Sequence, residues 1–412
     1  MEITFGSIPL EELSQMERSS SLTFSGICNT KSLTTDEKPE ISAPKIKSWA
    51  NLFNADKTDK VVILQEKESI RRKQRILPRG LINGGNLCYM NSILQPLVFN
   101  EAFFEMIKTL SLQISSSSIT ILFDAILSFL NEFRIDDTRN DDSEFGNPFL
   151  PEYVYDALRT VKRLNSLISE QEDAQEFLGF LLDELNEEIH RSSQRNNREE
   201  EETSGDMWNV VGKRNKVVKA RHTEINKSLV TQLFCGKYRS DITDKKSNKK
   251  TITVEPFQFL QLDIQKARSL KDALDELVRP EVITSGNKSF IKQMRLEQLP
   301  KILIIHLKRF IYHPTLGVTK NFDFVAYPET LQFDAKHLSL NQLNLPKYKL
   351  TSVVYHHGWS TNGGHYTCDV LWKEFNRWLH FDDETILPTD IDNVLKEKQD
   401  RNVYILFYEA LD

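Results

Sequence analysis

Cysteine is scarce in this sequence. Four occur in 412 residues, and no two of them have the short spacing of a zinc-binding pair: Cys28, Cys88, Cys235 and Cys368. This pattern argues against a zinc knuckle and against a disulfide scaffold. We therefore expect neither a bound metal nor another cofactor.

Long apolar runs and an excess of one charge are also missing. No run approaches the roughly 18 apolar residues of a membrane span, and the start lacks the basic and apolar regions of a secretory signal. The 53 basic and 59 acidic residues give a formal net charge of −6, without the basic concentration typical of nucleic-acid binding. We expect a protein of a reducing compartment, cytoplasmic or also nuclear, that binds no membrane and no nucleic acid directly.

The first 78 residues lack the apolar density of a folded domain. They are rich in Ser, Thr, Lys and Glu, and their apolar residues are scattered. We predict a disordered tail over 1–78 and a folded domain over 79–412. Two aromatic islands interrupt the tail, at 3–8 and 48–53. Three interpretations stay open for these islands: docking peptides that order on binding, chance clusters, and segments that pack on the folded domain.

Apolar residues at three- and four-residue spacing predict helices in the first half of the folded domain. One such segment follows Cys88, and Pro96 should bend or shorten it by removing a backbone donor. A second includes Ile119, and a third starts near Gln171 with carboxylates in its first turn.

The apolar period changes to two in the second half. A charged, exposed excursion at 191–219 precedes this change, and one helix at 269–278 interrupts the strands. The β-rich runs are 251–254, 257–263, 301–309, 350–359, 365–372, 377–386 and 403–408. Helices followed by mostly antiparallel strands predict an α+β architecture with a cleft between the two layers.

Cys88 stands where a glycine-rich turn gives way to the first helical segment. The unpaired N–H groups and partial positive charge of a helix N-terminus favour thiolate over thiol, so Cys88 is a candidate nucleophile. The alternative is a small buried hydrophobe. Asn83, five positions earlier in the same turn, is a candidate side-chain donor to an oxyanion, beside the backbone N–H of Cys88.

A thiol nucleophile needs a base, and histidine has a suitable pKa. Among nine histidines, His365 follows Gly363 and Gly364, which allow close backbone approach, and Tyr366 opens a strand that would hold the imidazole. The alternative is a histidine that only packs on its strand.

The next β-rich run ends on two carboxylates, Asp382 and Asp383. A hairpin between the two runs could place one of them against the imidazole of His365, where it would fix the tautomer. The spacing alone leaves both carboxylates as candidates.

Five sequence blocks, in this order, resemble the signature of the ubiquitin-specific proteases. They are 80–92 around Cys88, Gln171-Glu172-Asp173-Ala174-Gln175-Glu176-Phe177-Leu178, Leu307-Lys308-Arg309-Phe310, Gly363-Gly364-His365-Tyr366 and Phe381-Asp382-Asp383. The resemblance covers 79–408. It implies a papain-like α+β fold shaped as a right hand, with a helical thumb, fingers in the middle strands and a palm in the later sheet.

The resemblance implies a catalytic role for five residues. Cys88 would be the nucleophile, His365 the general base and acid, and Asp382 the third member, which orients the imidazole. Asn83 would donate to the oxyanion, and Asp383 matches a second acid that the family ties to the oxyanion site.

The same match implies a channel for the basic C-terminal tail of ubiquitin. Three residues would line it: Asp173, Gln175 and Glu176. Gly363 and Gly364, followed by Tyr366, would keep the passage of the scissile diglycine narrow, because any Cβ there would fill it.

Two positions depart from the family pattern. Leu87 stands where the family usually has threonine beside the nucleophile, which bears on the rate at Cys88. The finger region lacks paired Cys-x-x-Cys ligands and retains only Cys235, so we expect no zinc and a fingertip held by packing.

One branch of the family is most similar to the chain. The likeness rests on three segments, 48–53, 208–216 and 353–358. That branch works with RNA-binding partners of stress granules through a short Phe-Gly peptide, which Phe5-Gly6 resembles.

The resemblance implies a thiol isopeptidase that removes ubiquitin from lysines of proteins or of ubiquitin itself. One alternative is the cleavage of another ubiquitin-like modifier. Another, of a different class, is a silent scaffold that only grips ubiquitin while the tail recruits partners. Loss of a triad member would favour the scaffold, and no member is lost.

Overall fold

The computed structural model describes residues 74–114, 117, 119–136, 144–162, 172–196, 207–211, 218–222, 228–286, 288–315, 317–339, 345–360 and 363–411. The predicted tail up to residue 73, with Phe5-Gly6 and the island at 48–53, lies outside these residues, as does Gln171. The chain divides into a small unit, Met1–Gln74, Asp136–Thr138 and Thr284–Asn287, and a large unit formed by the remaining residues. Every helix of the described part lies in the large unit.

Helices dominate the first part of the described chain. They are α1 Cys88–Val98, α2 Glu101–Ser111, α3 Ile121–Asn131, α4 Glu152–Lys162 and α5 Ala174–Asn196. The later helices are α6 Leu229–Phe234, α7 Leu270–Leu277 and α8 Ile391–Leu395. The predicted helix at 269–278 is confirmed as α7, which Ser269 caps by accepting from the backbone N–H of Asp272 at 3.1 Å.

The strands are β1 Gln74–Ile76, β2 Arg79–Leu81, β3 Arg134–Asp136, β4 Gly146–Phe149, β5 Met207–Val211, β6 Val218–His222, β7 Gly236–Asp244, β8 Lys250–Phe257, β9 Phe259–Asp263 and β10 Glu281–Ser285. They continue with β11 Lys288–Gln298, β12 Ile302–Lys308, β13 Phe310–His313, β14 Gly317–Lys320, β15 Thr330–Gln332, β16 Lys347–Ser360, β17 Gly363–Trp372, β18 Arg377–Asp382, β19 Thr385–Thr389 and β20 Asn402–Leu411.

The helix predicted after Cys88 runs from Cys88 to Val98 and contains Pro96, so it continues for two residues past the proline. Two predictions about single elements were wrong. The excursion at 191–219 is not a plain loop, since it contains β5 and the start of β6. The run 377–386 is two strands, which turn at Asp383 with a φ of 48°.

An eight-stranded sheet forms the centre of the fold. Its order is β19-β18-β17-β16-β20-β12-β9, with β15 paired to β16, and among these described strands only β9 runs parallel to its neighbour. Alternate residues face opposite sides: Ile304, Val354 and Ile405 pack with α1 to α6, whereas Ile305, Val353 and Leu406 pack with α7. A six-stranded sheet, β10-β11-β7-β8-β6-β5, is the second layer of strands.

This architecture confirms the α+β, papain-like expectation. The helical layer corresponds to the expected thumb, the six-stranded sheet to the fingers and the eight-stranded sheet to the palm. Helix α1 packs directly on β17 and β18. The cysteine at the start of α1 therefore lies against the strands that carry His365 and Asp382.

A buried carboxylate joins two helices of the thumb. Glu188 of α5 is 2% exposed and accepts from the backbone N–H groups of Leu122 at 3.0 Å and Phe123 at 2.8 Å. These donors belong to the first turn of α3, whose N-cap residue, Thr120, makes no capping bond with its side chain. Burial raises the pKa of Glu188. The capping of α3 is thus tertiary rather than local.

We expect Glu188→Ala to lower the free energy of unfolding by about 2–4 kcal/mol, because two buried N–H groups lose a charged acceptor. Urea unfolding of the full chain measures the change. Glu187→Ala is the matched control, since that side chain is 51% exposed on the same helix. Equal midpoints for the two variants would contradict a capping role for Glu188.

Candidate active site

Cys88 is the first residue of α1 and is 4% exposed. The turn before it is closed by the side chain of Asn83, whose Oδ1 accepts from the backbone N–H groups of Gly85 at 3.1 Å and Leu87 at 3.0 Å. Gly85 has a φ of 146°, a conformation that side chains disfavour. The predicted position of the thiol at a helix start is confirmed.

Leu87 is the N-cap residue of α1, and its side chain makes no capping hydrogen bond. The side chain is 2% exposed and belongs to the core of the thumb. At this position the structure therefore shows apolar packing, while the neighbouring turn is held by Asn83.

Asp383 connects the palm to the turn that precedes Cys88. Its Oδ2 accepts from Nδ2 of Asn83 and its Oδ1 from Nδ2 of Asn91, both at 2.9 Å. Its backbone carbonyl accepts from the N–H of Leu81 at 2.9 Å. The approach is so close that a Cβ on Gly80 would meet the carbonyl oxygen of Glu384 at 2.2 Å.

The bond to Asp383 orients the amide of Asn83. An amide nitrogen carries two hydrogens, and Asp383 takes one of them. The second hydrogen remains for another acceptor, which suits the oxyanion role that the resemblance implies. Asp383 therefore contacts the turn that precedes Cys88, and it acts on the site through Asn83.

His365 and Asp382 form the second half of the site. Nε2 of His365 lies 2.5 Å from Oδ1 of Asp382. His365 lies near the start of β17 and Asp382 is the last residue of β18, and the antiparallel pairing of these strands brings the two ends together. Of the two candidate carboxylates, the structure thus places Asp382 on the imidazole and Asp383 on Asn83.

The imidazole of His365 also bonds to the side chain of Cys88. This bond, with the bond to Asp382, raises the pKa of His365 to about 9, although burial opposes the shift. Because Nε2 is engaged by Asp382, Nδ1 is the nitrogen that serves the thiol. Three side chains from α1, β17 and β18 therefore form the ordered Cys-His-Asp arrangement.

Asp173 lies at the N-terminus of α5, next to the palm. It accepts from the backbone N–H groups of Gln175 at 2.7 Å and Glu176 at 3.3 Å and from the hydroxyl of Tyr404 at 2.5 Å. Burial raises its pKa, while the hydrogen bonds, including one from Tyr366, act in the opposite direction. The side chain of Gln175 is half-buried, whereas that of Glu176 is exposed to solvent.

The two glycines before His365 differ in their surroundings. A Cβ on Gly364 would meet the carbonyl oxygen of His357 at 2.4 Å and Nε2 of His356 at 2.5 Å, whereas a Cβ on Gly363 would meet nothing within 4 Å. Only Gly364 is therefore required to be glycine by the protein's own packing. Tyr366 is 3% exposed and forms a hydrogen bond with Asp173.

Two residues of the site were not predicted from the sequence. Asn91 is 2% exposed, and besides its bond to Asp383 it accepts from the hydroxyl of Tyr155 at 2.8 Å. A weak signal was present, since Asn91 is one of the few polar residues in a mostly apolar helix, together with Ser92 and Gln95. Tyr155 of α4 gave no such signal.

The described residues include two groups of potential metal ligands, each within 4.8 Å. One is His365 with Asp382 and Asp383, which is the catalytic arrangement itself. In the other, His337 bonds through Nε2 to Asp275 at 2.7 Å and through Nδ1 to the N–H of Asp334 at 3.1 Å. Both ring nitrogens are thus occupied by protein partners.

Together, the fold and the site define a papain-like protein with a Cys-His-Asp centre. A family model described as ubiquitin carboxyl-terminal hydrolase matches residues 79–408, and the chain belongs to that family. Among the helices of the described residues, none combines the length and the apolar character needed to cross a membrane.

Named relatives and solved structures agree with this family. The chain is similar to ubiquitin carboxyl-terminal hydrolase 10-A of Xenopus laevis, at 33% identity over 85% of this chain and 50% of the relative. Probable ubiquitin carboxyl-terminal hydrolase 3 of Schizosaccharomyces pombe is 34% identical over 89% of this chain and 80% of its own length. The chain spans about half the length of the vertebrate relatives it matches.

The fold is also that of Ubp8 in the SAGA module bound to ubiquitin aldehyde. The TM-score is 0.65 at 22% identity, and the match covers 86% of this chain and 75% of that one. This likeness supports the fold.

We expect Asp382→Asn to move the alkaline limit of activity to lower pH. The pKa of His365, about 9 in the intact site, would fall when the carboxylate is lost, although the bond to Cys88 would still raise it. The imidazolium that protonates a leaving amine would then be lost at lower pH, and kcat/KM would fall by about 10²–10⁴-fold. The pH profile of kcat/KM measures both effects.

Glu384→Gln is the control, because it removes an exposed carboxylate two residues after Asp382. An unchanged alkaline limit in Asp382→Asn would show that the carboxylate does not support the imidazolium.

Proposed function

We propose that the chain is a deubiquitinating thiol isopeptidase. It would hydrolyse the bond between the C-terminal glycine of ubiquitin and a lysine of a substrate protein or of another ubiquitin. The observation that carries the proposal is the joining of Cys88, His365 and Asp382 in one site, beside a turn that Asp383 holds through Asn83.

The first half of the reaction would form an acyl-enzyme. The thiolate of Cys88 attacks the glycine carbonyl carbon, and the carbonyl oxygen becomes an oxyanion that accepts from Asn83 and the backbone N–H of Cys88. As the tetrahedral intermediate collapses, the imidazolium of His365 gives its proton to the lysine amine, which leaves. Ubiquitin remains bound to Cys88 as a thioester.

The second half would release ubiquitin. His365, now neutral, takes a proton from water, and the hydroxide attacks the thioester. Collapse of the second intermediate breaks the C–S bond and restores the thiolate and the imidazolium. Asp382 keeps Nε2 protonated throughout, so that Nδ1 exchanges the proton in both halves.

Ubiquitin as substrate is supported by the family and by the character of the cleft. The relatives carry ubiquitin in their names, and the similar fold of Ubp8 was solved with ubiquitin aldehyde. Asp173 and Glu176 place two carboxylates at the start of α5, which suits a basic peptide tail.

We expect a ubiquitin probe with a C-terminal electrophile to label the wild-type chain and not Cys88→Ala. The electrophile needs an activated thiolate at the end of the tail channel. Gel shift and mass spectrometry measure the labelling. Cys235→Ala is the matched control and should label normally, because burial raises the pKa of that thiol to about 12.

Equal labelling of Cys88→Ala and wild type would exclude the proposed nucleophile. The same probe built on another ubiquitin-like modifier tests the alternative substrate. Turnover of a fluorogenic ubiquitin amide separates an enzyme from a silent scaffold.

We also propose that the tail docks an RNA-binding partner of stress granules through Phe5-Gly6, and that the protein acts in the cytoplasm. The support is the resemblance of this dipeptide to the Phe-Gly peptide of one branch, together with relatives named ubiquitin carboxyl-terminal hydrolase 10.

We expect Phe5→Ala to weaken capture of such a partner and to leave ubiquitin cleavage unchanged, because the residue lies outside the matched domain. Pulldown with the full chain, alongside turnover of a ubiquitin amide, measures the two effects. Equal capture by Phe5→Ala and wild type would remove this proposal while leaving the enzymatic one intact.

A further inference from the structure

The ammonium group of Lys320 is buried at the end of β14, beside the hairpin that carries His365. The residue is 8% exposed. Its Nζ donates to Nδ1 of His356 at 2.8 Å, to the carbonyl of His356 at 3.1 Å and to the carbonyl of Gly358 at 2.8 Å. An ammonium has three hydrogens, so each one has an acceptor.

These acceptors lie on either side of one residue, His357. In the ladder between β16 and β17, His357 is the direct partner of His365. The strand bends just beyond, where Gly358 has a φ of 93° and the register shifts between His357 and Ser360. Lys320 thus fixes the backbone on both sides of the residue that pairs with the catalytic histidine.

Lys320 also sets the tautomer of His356, whose imidazole lies against Gly364. Because Nδ1 of His356 accepts from Lys320, Nε2 carries the proton, and Nε2 lies against Gly364. Burial, and next the charge of Lys320, lower the pKa of His356 to about 3, so the ring stays neutral. Lys320 therefore holds His356 in one tautomer, with the protonated Nε2 against Gly364.

The backbone that carries Lys320 is itself held by a second buried cation. Arg309 is 1% exposed and donates to the carbonyls of Asn321 at 3.0 Å, Asp323 at 2.9 Å and Val403 at 2.5 Å. The N–H of Asn321 returns a bond to the carbonyl of Arg309 at 2.6 Å. The residue after Lys320 is thereby tied to β20, so the ammonium is presented from a rigid support.

We propose that Lys320 is a positioning residue for the cleavage reaction: it holds the bend of β16 at His356 to Gly358, and so places His365 and Gly364 for the substrate. This inference rests on the proposed deubiquitinating function. Lys320 would then align the imidazole of His365 with Cys88, rather than only stabilise the fold.

The test is Lys320→Met in the full chain, with a ubiquitin amide as substrate. We expect kcat to fall by about 10²-fold and KM to rise by less than that, since Gly364 shifts while the carboxylates of Asp173 and Glu176 stay in place. The alkaline limit of kcat/KM should also move below the wild-type value, because a displaced His365 loses its bonds to Cys88 and Asp382. A purely structural lysine would lower the melting temperature without moving that limit.

Lys347→Met is the matched control and should behave as wild type, because it removes an exposed lysine from β16, the strand that Lys320 contacts. Unchanged kcat and an unchanged alkaline limit in folded Lys320→Met would overturn the inference. If Lys320→Met does not fold, Gly358→Ala disturbs the same bend through its positive φ and must show the same two effects; normal kinetics there would overturn it.

The proposed function and this inference fail in different ways. No turnover by the wild-type chain would remove the proposed function. Normal turnover by wild type and equally by the folded variants would remove only the role of Lys320.

Discussion

The carboxylate of Asp383 is the contact on which the arrangement of the site depends. One oxygen holds Asn83 in the turn before the nucleophile, and the other holds Asn91 one helical turn after it. A single side chain from the palm thus fixes both ends of the first turn of α1. Its own backbone adopts a φ of 48°, an uncommon conformation for aspartate. The bonds to the two asparagines and to Leu81 keep it there.

Four buried or half-buried charged groups in this protein bind backbone atoms. Glu188 and Asp173 accept from helix N-termini, while Arg309 and Lys320 donate to carbonyls of irregular segments. Each group satisfies donors or acceptors that the fold would otherwise leave unpaired.

The sequence was sufficient to predict the outline of the fold and the main residues of the site. Cys88 begins a helix because a glycine-containing turn precedes an apolar run, and the pairing of β17 with β18 follows from two adjacent β-rich runs. These are local signals, which periodicity detects directly.

Other features depend on contacts that are distant in sequence. The choice between Asp382 and Asp383 depends on where β18 ends, since the strand stops at Asp382 and Asp383 turns away. Strands of the six-stranded sheet such as β7 and β11 were missed because most of their residues are only half-buried and lack a clean alternation. The role of Asn91 needed a partner 292 residues away.

The leucine beside the nucleophile can be understood from the same contacts. An N-cap side chain normally accepts from the first turn of its helix, and Leu87 does not. Its backbone N–H is instead bound by Asn83, which Asp383 holds in turn, so the turn is closed without a hydroxyl at this position. Leu87 contributes apolar packing under the thumb. The alignment of Cys88 therefore depends on Asn83 and Asp383, and a leucine at this position is compatible with a complete catalytic turn.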